Sequence, residues 1–156
     1  MGVGSLTKAE AYQKYSDDLV RFATGLAGPA DGPDLVSAAM VRVLMFPRWE
    51  EVKNQRAYLY AAVLNEARRH YHRTMRRRAG EARAVASGET GPLSEVRPDV
   101  LQAVGRLSVR QRAVVFLTYW EDLTPAETAR RLGVSPGTVY RNLARGEARL
   151  RRLLYD

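Results

Sequence analysis

The sequence predicts an all-α fold: two small helical domains joined by a flexible linker, the second of them a helix-turn-helix. Three observations carry this. Apolar residues recur at alternating intervals of three and four on either side of the chain's middle, which is helical spacing. Residues 81–98, rich in Ala, Gly, Ser and Pro, lose that periodicity. Beyond them, helix-start signals follow one another closely. A length of 156 residues suits one ordinary domain or two small ones and excludes a large multi-domain enzyme.

In the first domain, residues 5–80, Tyr12, Tyr15, Leu19, Phe22 and Leu26 form one helical stripe that ends at Gly28-Pro29. After Asp31-Gly-Pro, the pairs Leu35/Val36, Met40/Val41 and Val43/Leu44 predict a second helix that stops before Pro47, whose nitrogen has no hydrogen to donate. A third starts near Asn54, turns Leu59, Ala62, Val63 and Ala67 inward, and then becomes strongly basic. In the second domain, residues 99–156, Ser108-Val-Arg-Gln111 and Thr124-Pro-Ala-Glu127 fit the capping box, in which hydroxyl and carboxyl or amide each satisfy a free backbone N–H. Ser135-Pro136 supplies an N-cap with proline at the first helical position. Helices are therefore expected to begin near residues 100, 109, 125 and 136. An 18-residue linker with two glycines and little apolar periodicity imposes little orientation, so the two domains are expected to tumble semi-independently.

Twenty-five Lys plus Arg against 17 Asp plus Glu give a net charge of +8, and 22 of the basic residues are arginine. That balance calls for a polyanionic partner, either nucleic acid or an anionic membrane surface. It divides as +5 over residues 1–80, −1 over 81–98 and +4 over 99–156. The absence of cysteine removes disulfides, thiolate metal sites and cysteine nucleophiles. His70 and His72 sit on different faces of a helix, so neither a metal nor any other cofactor is expected. No apolar run is long enough to span a bilayer, and Met1-Gly-Val-Gly-Ser-Leu lacks the features of a secretory signal. A cytoplasmic location is expected.

Thr124 to Leu143 reads as helix, turn and helix, with Gly133 suited to a left-handed turn and Ala129, Leu132, Val134, Val139 and Leu143 packing the pair. Projection at 100° per residue buries Val139, Leu143, Gly146 and Leu150 and turns Gly137, Arg141, Ala144, Arg145 and Ala148 outward. Small residues permit close approach to a DNA groove, and Arg141 and Arg145 can bond guanine edges or phosphates. In the first domain, Arg68, Arg69, Arg73, Arg76, Arg77 and Arg78 are interleaved with His70, Tyr71 and His72 and preceded by Trp49, Tyr58 and Tyr60. Aromatic rings beside a basic track suit a splayed single strand, whose bases stack while its backbone follows the charge. The same pattern also describes core aromatics beside a solvated helix end.

Two stretches now carry a resemblance. Leu107-Ser-Val-Arg-Gln-Arg-Ala-Val-Val-Phe-Leu-Thr-Tyr-Trp-Glu-Asp-Leu-Thr124 and Glu127-Thr-Ala-Arg-Arg-Leu-Gly-Val-Ser-Pro-Gly-Thr-Val139 resemble region 4 of the extracytoplasmic-function (group IV) sigma-70 factors of bacterial RNA polymerase, of the actinobacterial type. Asp34-Leu-Val36 and Ala57-Tyr-Leu-Tyr-Ala-Ala-Val-Leu-Asn65 resemble region 2 of the same family. The resemblance implies that the helix of Ser135, Pro136, Gly137, Thr138, Tyr140, Arg141, Ala144 and Arg145 reads the minus-35 element. It implies that Trp49, Asn54, Arg56, Tyr58, Tyr60, Asn65, Arg68, Arg69, His72 and Arg73 open and hold the minus-10 element. Asp34, Leu35, Val36, Ser37, Met40 and Val41 would meet the clamp helices of the polymerase largest subunit. Ser37-Ala38-Ala39-Met40 replaces the Gln-Glu and large apolar residue that usually follow Asp-Leu-Val in the family.

The expected partners are thus core RNA polymerase, promoter DNA and an anti-sigma protein, with no small-molecule substrate. Neither a nucleophile–base pair nor a glycine-rich phosphate loop is present, so no enzymatic activity is expected of the chain itself. The alternative is a helix-turn-helix regulator that binds a DNA palindrome as a dimer without joining polymerase. More distant is a protein that uses its helices only for protein contact.

Overall fold

The computed structural model describes residues 4–78 and 97–155. Its helices are α1 (Lys8–Ala27), α2 (Gly32–Met45), α3 (Gln55–Arg78), α4 (Pro98–Gly105), α5 (Val109–Tyr119), α6 (Pro125–Leu132) and α7 (Pro136–Tyr155), with a 3₁₀ turn at Trp49–Glu51. The linker core, 81–96, lies outside the described residues, as do the side chains of Arg76, Arg77 and Arg78.

Each helix end has a local cause. Thr7 and Glu10 form a capping box at the start of α1, a Thr-x-x-Glu signal that the apolar stripe alone does not reveal. Gly28 closes α1 at φ +92°, its N–H bonded to the Thr24 carbonyl. α2 stops at Phe46, before Pro47, and Lys8 Nζ donates to the carbonyls of Leu44 (2.9 Å) and Phe46 (2.7 Å), placing a cation at the negative end of the helix. Both capping boxes expected in the second domain are present, at Ser108/Gln111 and Thr124/Glu127. Ser135 Oγ accepts from the Thr138 N–H at 3.2 Å, with Pro136 opening α7.

α1, α2 and α3 pack as a bundle around Leu19, Phe22, Leu35, Val36, Val43, Leu59 and Val63, all buried. In the second domain α7 crosses α5 closely because residue 146 is glycine: a Cβ there would lie 3.2 Å from Val115 Cγ2. Gly133 turns the chain between α6 and α7 at φ +70°, a conformation open to glycine at little cost.

The two domains do not stand apart. α5 packs against α1 and α3, and α6 also packs against α3, so one buried cluster runs through both. Phe22 touches Tyr60 (centroids 4.8 Å apart) and Phe116 (6.5 Å), one ring from α5 and two from the first bundle. Semi-independent tumbling is therefore not what the structure shows. The physical reason lies in Ala113-Val-Val-Phe-Leu117, five consecutive buried residues. A helix apolar on every side needs partners on more than one side, and its own domain covers only part of it.

Replacing Thr124 with alanine removes the acceptor at the start of α6. The expected loss is about 1 kcal/mol, or about 2–4 °C in Tm for a chain of this size, measured by thermal unfolding. Backbone and side-chain hydrogen bonds from Thr124 hold the Glu127 carboxyl below its ordinary pKa. A lowered folded-state pKa means that this contribution is complete above the unfolded value and fades as pH falls through the folded one. The difference between wild type and Glu127→Gln should accordingly shrink in acid.

Candidate nucleic-acid interface

α7 presents the face expected from the sequence. Val139 and Gly146 are buried and Leu143 and Leu150 half-buried, while Ser135, Pro136, Gly137, Tyr140, Arg141, Ala144 and Arg145 are exposed and Thr138 is half-buried. Ala148, projected outward, is half-buried instead. Arg141 Nη2 donates to Thr138 Oγ1 at 3.3 Å and Asn142 Nδ2 to the Thr138 carbonyl at 2.9 Å, so the first two turns of the exposed face are held together before any ligand arrives. An exposed helix N-terminus with small residues and two arginines on successive turns suits insertion into a major groove.

The first-domain residues divide. Asn54, Asn65, Arg68, Arg69, His72 and Arg73 are exposed, and Arg56 and Tyr58 are half-buried. Asn54 Oδ1 accepts from the Ala57 N–H at 3.0 Å, which makes it a cap for α3. Arg69 bonds Glu66 at 2.6 Å, and Glu66 is buried and shared with Arg42. Arg56 lies over the Tyr15 ring, 5.9 Å from its centroid. Tyr58 packs between Phe46 and Trp49 at 5.2 and 5.8 Å.

Four expected contact residues prove to be core in this arrangement. Trp49 is 3% exposed and its indole Nε1 donates to the Leu6 carbonyl at 2.8 Å. Tyr60 is fully buried against Phe22; its hydroxyl takes a hydrogen bond from Arg131, and desolvation raises its pKa. Neither ring is free to stack on a base here. Leu35 and Val36 of α2 face the bundle interior, while Asp34, Ser37 and Val41 are exposed and Met40 is half-buried. The outer surface of α2 instead continues through Leu44 and Met45, 59% and 76% exposed, which the sequence stripe had mixed with core positions.

Where the domains meet, a cleft of about 420 Å³ brings Arg68, Tyr71 and His72 of α3 together with Arg145 and Arg149 of α7. Arg106 and Arg110, which no motif distinguishes, complete it beside the start of α5. Among the described residues, no carboxylate lines it. Among the same residues, no helix is long and apolar enough to cross a membrane and no group of three His, Cys, Asp or Glu side chains could hold a metal ion.

Fold and surface together define a two-domain helix-turn-helix protein of the DNA-binding class. The Sigma-70 region 2 family matches residues 11–77 and the Sigma-70 region 4 family residues 97–150. The chain is 32% identical over 152 residues to the RNA polymerase sigma-E factor of Streptomyces antibioticus, covering 93% of this chain and 83% of that protein. To the RNA polymerase sigma-E factor of Streptomyces coelicolor it is 31% identical over 160 residues, covering 97% and 89%. An 84-residue segment is 39% identical to the ECF RNA polymerase sigma factor SigM of Mycobacterium tuberculosis, 46% of this chain and 43% of that one. The sigma factor RpoE of Bartonella quintana, solved in complex with the anti-sigma factor NepR, shares the fold with a TM-score of 0.61 at 20% identity, over 94% of this chain and 95% of that one. The chain belongs to the extracytoplasmic-function branch of the sigma-70 family, whose members are transcription initiation factors rather than enzymes.

Alanine at Arg141 or Arg145 is expected to weaken promoter-specific binding by about 1–3 kcal/mol each if it removes a bidentate base contact. Binding measured against a promoter library separates base reading from phosphate contact. Loss confined to particular base pairs indicates reading, and uniform loss with a shallower salt slope indicates phosphate contact.

Proposed function

We propose that this protein binds core RNA polymerase and directs it to a particular set of promoters, acting in the cytoplasm. α7 reads the minus-35 element in the major groove, and the exposed basic side of α3, with Tyr58 at its start, engages the non-template strand of the minus-10 element. The carrying observation is the outward face of α7, small residues and two arginines over a buried Val139 and Gly146, in one chain with a second basic helix in the family's order. Polymerase supplies catalysis.

The polymerase contact is assigned to the outer surface of α2. Asp34, Ser37, Val41, Leu44 and Met45 give an acidic start and an apolar continuation, and exposed apolar side chains clustered on one helix suit a protein partner. A dimeric regulator could use such a stripe too, so the polymerase-subunit reading is supported instead by the tandem region 2 and region 4 matches in one chain. The Ser37-Ala38-Ala39 departure leaves the middle of the helix small and shifts the weight of contact to Val41, Leu44 and Met45. An anti-sigma protein, as in the Bartonella complex, would be the regulating partner.

Adding the purified protein to core polymerase should produce initiation at a cognate promoter. No binding to core polymerase at any salt concentration would contradict the proposal. Val41→Asp with Leu44→Asp should weaken core binding by about 2 kcal/mol or more, roughly thirty-fold, while the circular dichroism of the variant stays that of wild type because both side chains are exposed.

A further inference from the structure

We propose that the cleft between the two domains is a binding site for a small oligophosphate anion, either an inorganic phosphate chain or the phosphate end of a nucleotide. The cleft lies along the seam between the domains, where α5 packs against α1 and α3, and side chains of α3, α5 and α7 line it.

The first ground is uncompensated charge. Arg68 of α3, Arg106 and Arg110 flanking the start of α5, and Arg145 and Arg149 of α7 surround one space of about 420 Å³. Among the described residues none of the five forms an ion pair, and no carboxylate lines the cleft. A space of this size is comparable with the screening length in physiological salt, about 8 Å, so the five charges act on one another. Arg145 and Arg149 stand one turn apart on α7, a like-charged pair that disfavours its own helix. Arg110 sits in the first turn of α5, where the helix dipole favours an acid, and that turn carries none. Buried Arg112 adds a sixth cation 5.5 Å from the centre of the Tyr71 ring in the cleft wall. The apolar contacts of the seam hold these cations together, and an anion among them offsets their repulsion.

The second ground is the supply of donors. The acceptors that Ser108 and Gln111 bring to the wall are spent on each other's backbone N–H groups, at 3.1 Å each, and Asn142 Nδ2 is engaged with the Thr138 carbonyl at 2.9 Å. What remains to meet a ligand is chiefly donors: five guanidinium forks, the Tyr71 hydroxyl and the His72 ring. Such a lining suits a ligand made of acceptors. Guanidinium matches phosphate through paired hydrogen bonds. One phosphate, with its few oxygens, is filled by two such forks, so five arginines call for a chain of phosphates.

The third ground is shape. Small-molecule sites occupy about 300–1,000 Å³, and the cleft falls within that range. A DNA duplex is too wide to enter it and a membrane surface too flat, so either meets only the rim. The Tyr71 and His72 rings, 5.9 Å apart between centroids, form an aromatic wall against which a base can lie when the phosphates belong to a nucleotide. Arg68 and Arg145 are also assigned to the two promoter elements, so an occupied cleft withdraws both from DNA. That consequence, unlike the site itself, rests on the promoter reading above.

Isothermal titration calorimetry of the full-length protein with sodium tripolyphosphate, magnesium-free ATP and inorganic phosphate tests the site. Tripolyphosphate should bind at one saturable site, about ten-fold or more tighter than phosphate. Arg106→Ala with Arg110→Ala should weaken it by about ten-fold or more. Arg151→Ala with Arg152→Ala removes the same charge outside the cleft and should change it by about two-fold or less. All four side chains are exposed, so the circular dichroism of both variants should stay that of wild type. ATP binding about ten-fold tighter than tripolyphosphate identifies a nucleotide as the source of the phosphates, and equal or weaker binding identifies the phosphate chain alone. Absence of binding by tripolyphosphate and ATP at about 1 mM overturns the proposal, and if Arg106→Ala/Arg110→Ala then still weakens duplex binding, the cleft is a contact for DNA backbone only. An equal loss in both double variants overturns it too, because general charge attraction then accounts for the binding. Tripolyphosphate should also compete with promoter DNA. A protein that binds tripolyphosphate without yielding DNA keeps the site and loses the assignment of Arg68 and Arg145, so the two readings fail separately.

Discussion

The structure is organised by one constraint: α5 carries more apolar surface than one small domain can cover. Five consecutive buried residues, Ala113 to Leu117, leave no side of the helix for water. α7 takes one side, with Gly146 allowing the approach, and α1 takes another, with Gly25 doing the same for the Phe116 ring. The two glycines are what let a single short helix serve as the centre of its own domain and as the floor of the contact with its neighbour. Position, caps and turns of the remaining helices then determine which surfaces stay outside.

Arginine is used in three physically different ways. Arg112 is buried, where desolvation pushes its pKa down and carbonyl oxygens rather than carboxylates hold it. Arg42 and Arg69 surround the buried Glu66, while Arg21 takes a rim position where its hydrogen bond to Glu121 raises its pKa. Arg68, Arg141, Arg145 and Arg149 remain exposed and form no ion pair among the described residues. Arginines of this last kind, which also include Arg73, Arg106, Arg110, Arg130, Arg151 and Arg152, are the ones available to a polyanion. A net charge of +8 therefore overstates the DNA-facing charge and hides the structural share of it.

Local chemistry was legible in the sequence. Ser108/Gln111, Thr124/Glu127 and Ser135-Pro136 start helices where expected, because a cap is decided within four residues. The outward face of α7 followed from periodicity for the same reason. What the sequence did not reveal depends on pairs distant along the chain. Trp49 and Tyr60 are aromatic residues beside a basic track in either a stacking or a packing role, and only their partners, Leu6 for one and Phe22 with Arg131 for the other, decide for packing here. The adjacent pairs Leu35/Val36 and Val43/Leu44 posed the same problem on α2. In a helix with apolar residues side by side, the core stripe and the exposed stripe look alike until α1 and α3 cover one of them, here burying Val43 and leaving Leu44 outside. The seam was missed because a glycine-bearing linker says nothing about whether the surfaces it joins are sticky, although the unbroken apolar run of α5 was visible throughout.

The most direct measurement of the constraint that α5 imposes is amide hydrogen exchange in wild type and in Phe116→Ala. Truncating the ring that lies against Gly25 and Phe22 should speed exchange in α1 as well as in α5, because the two helices share one buried cluster. Faster exchange confined to α4–α7, with α1 protected as in wild type, would contradict a shared core.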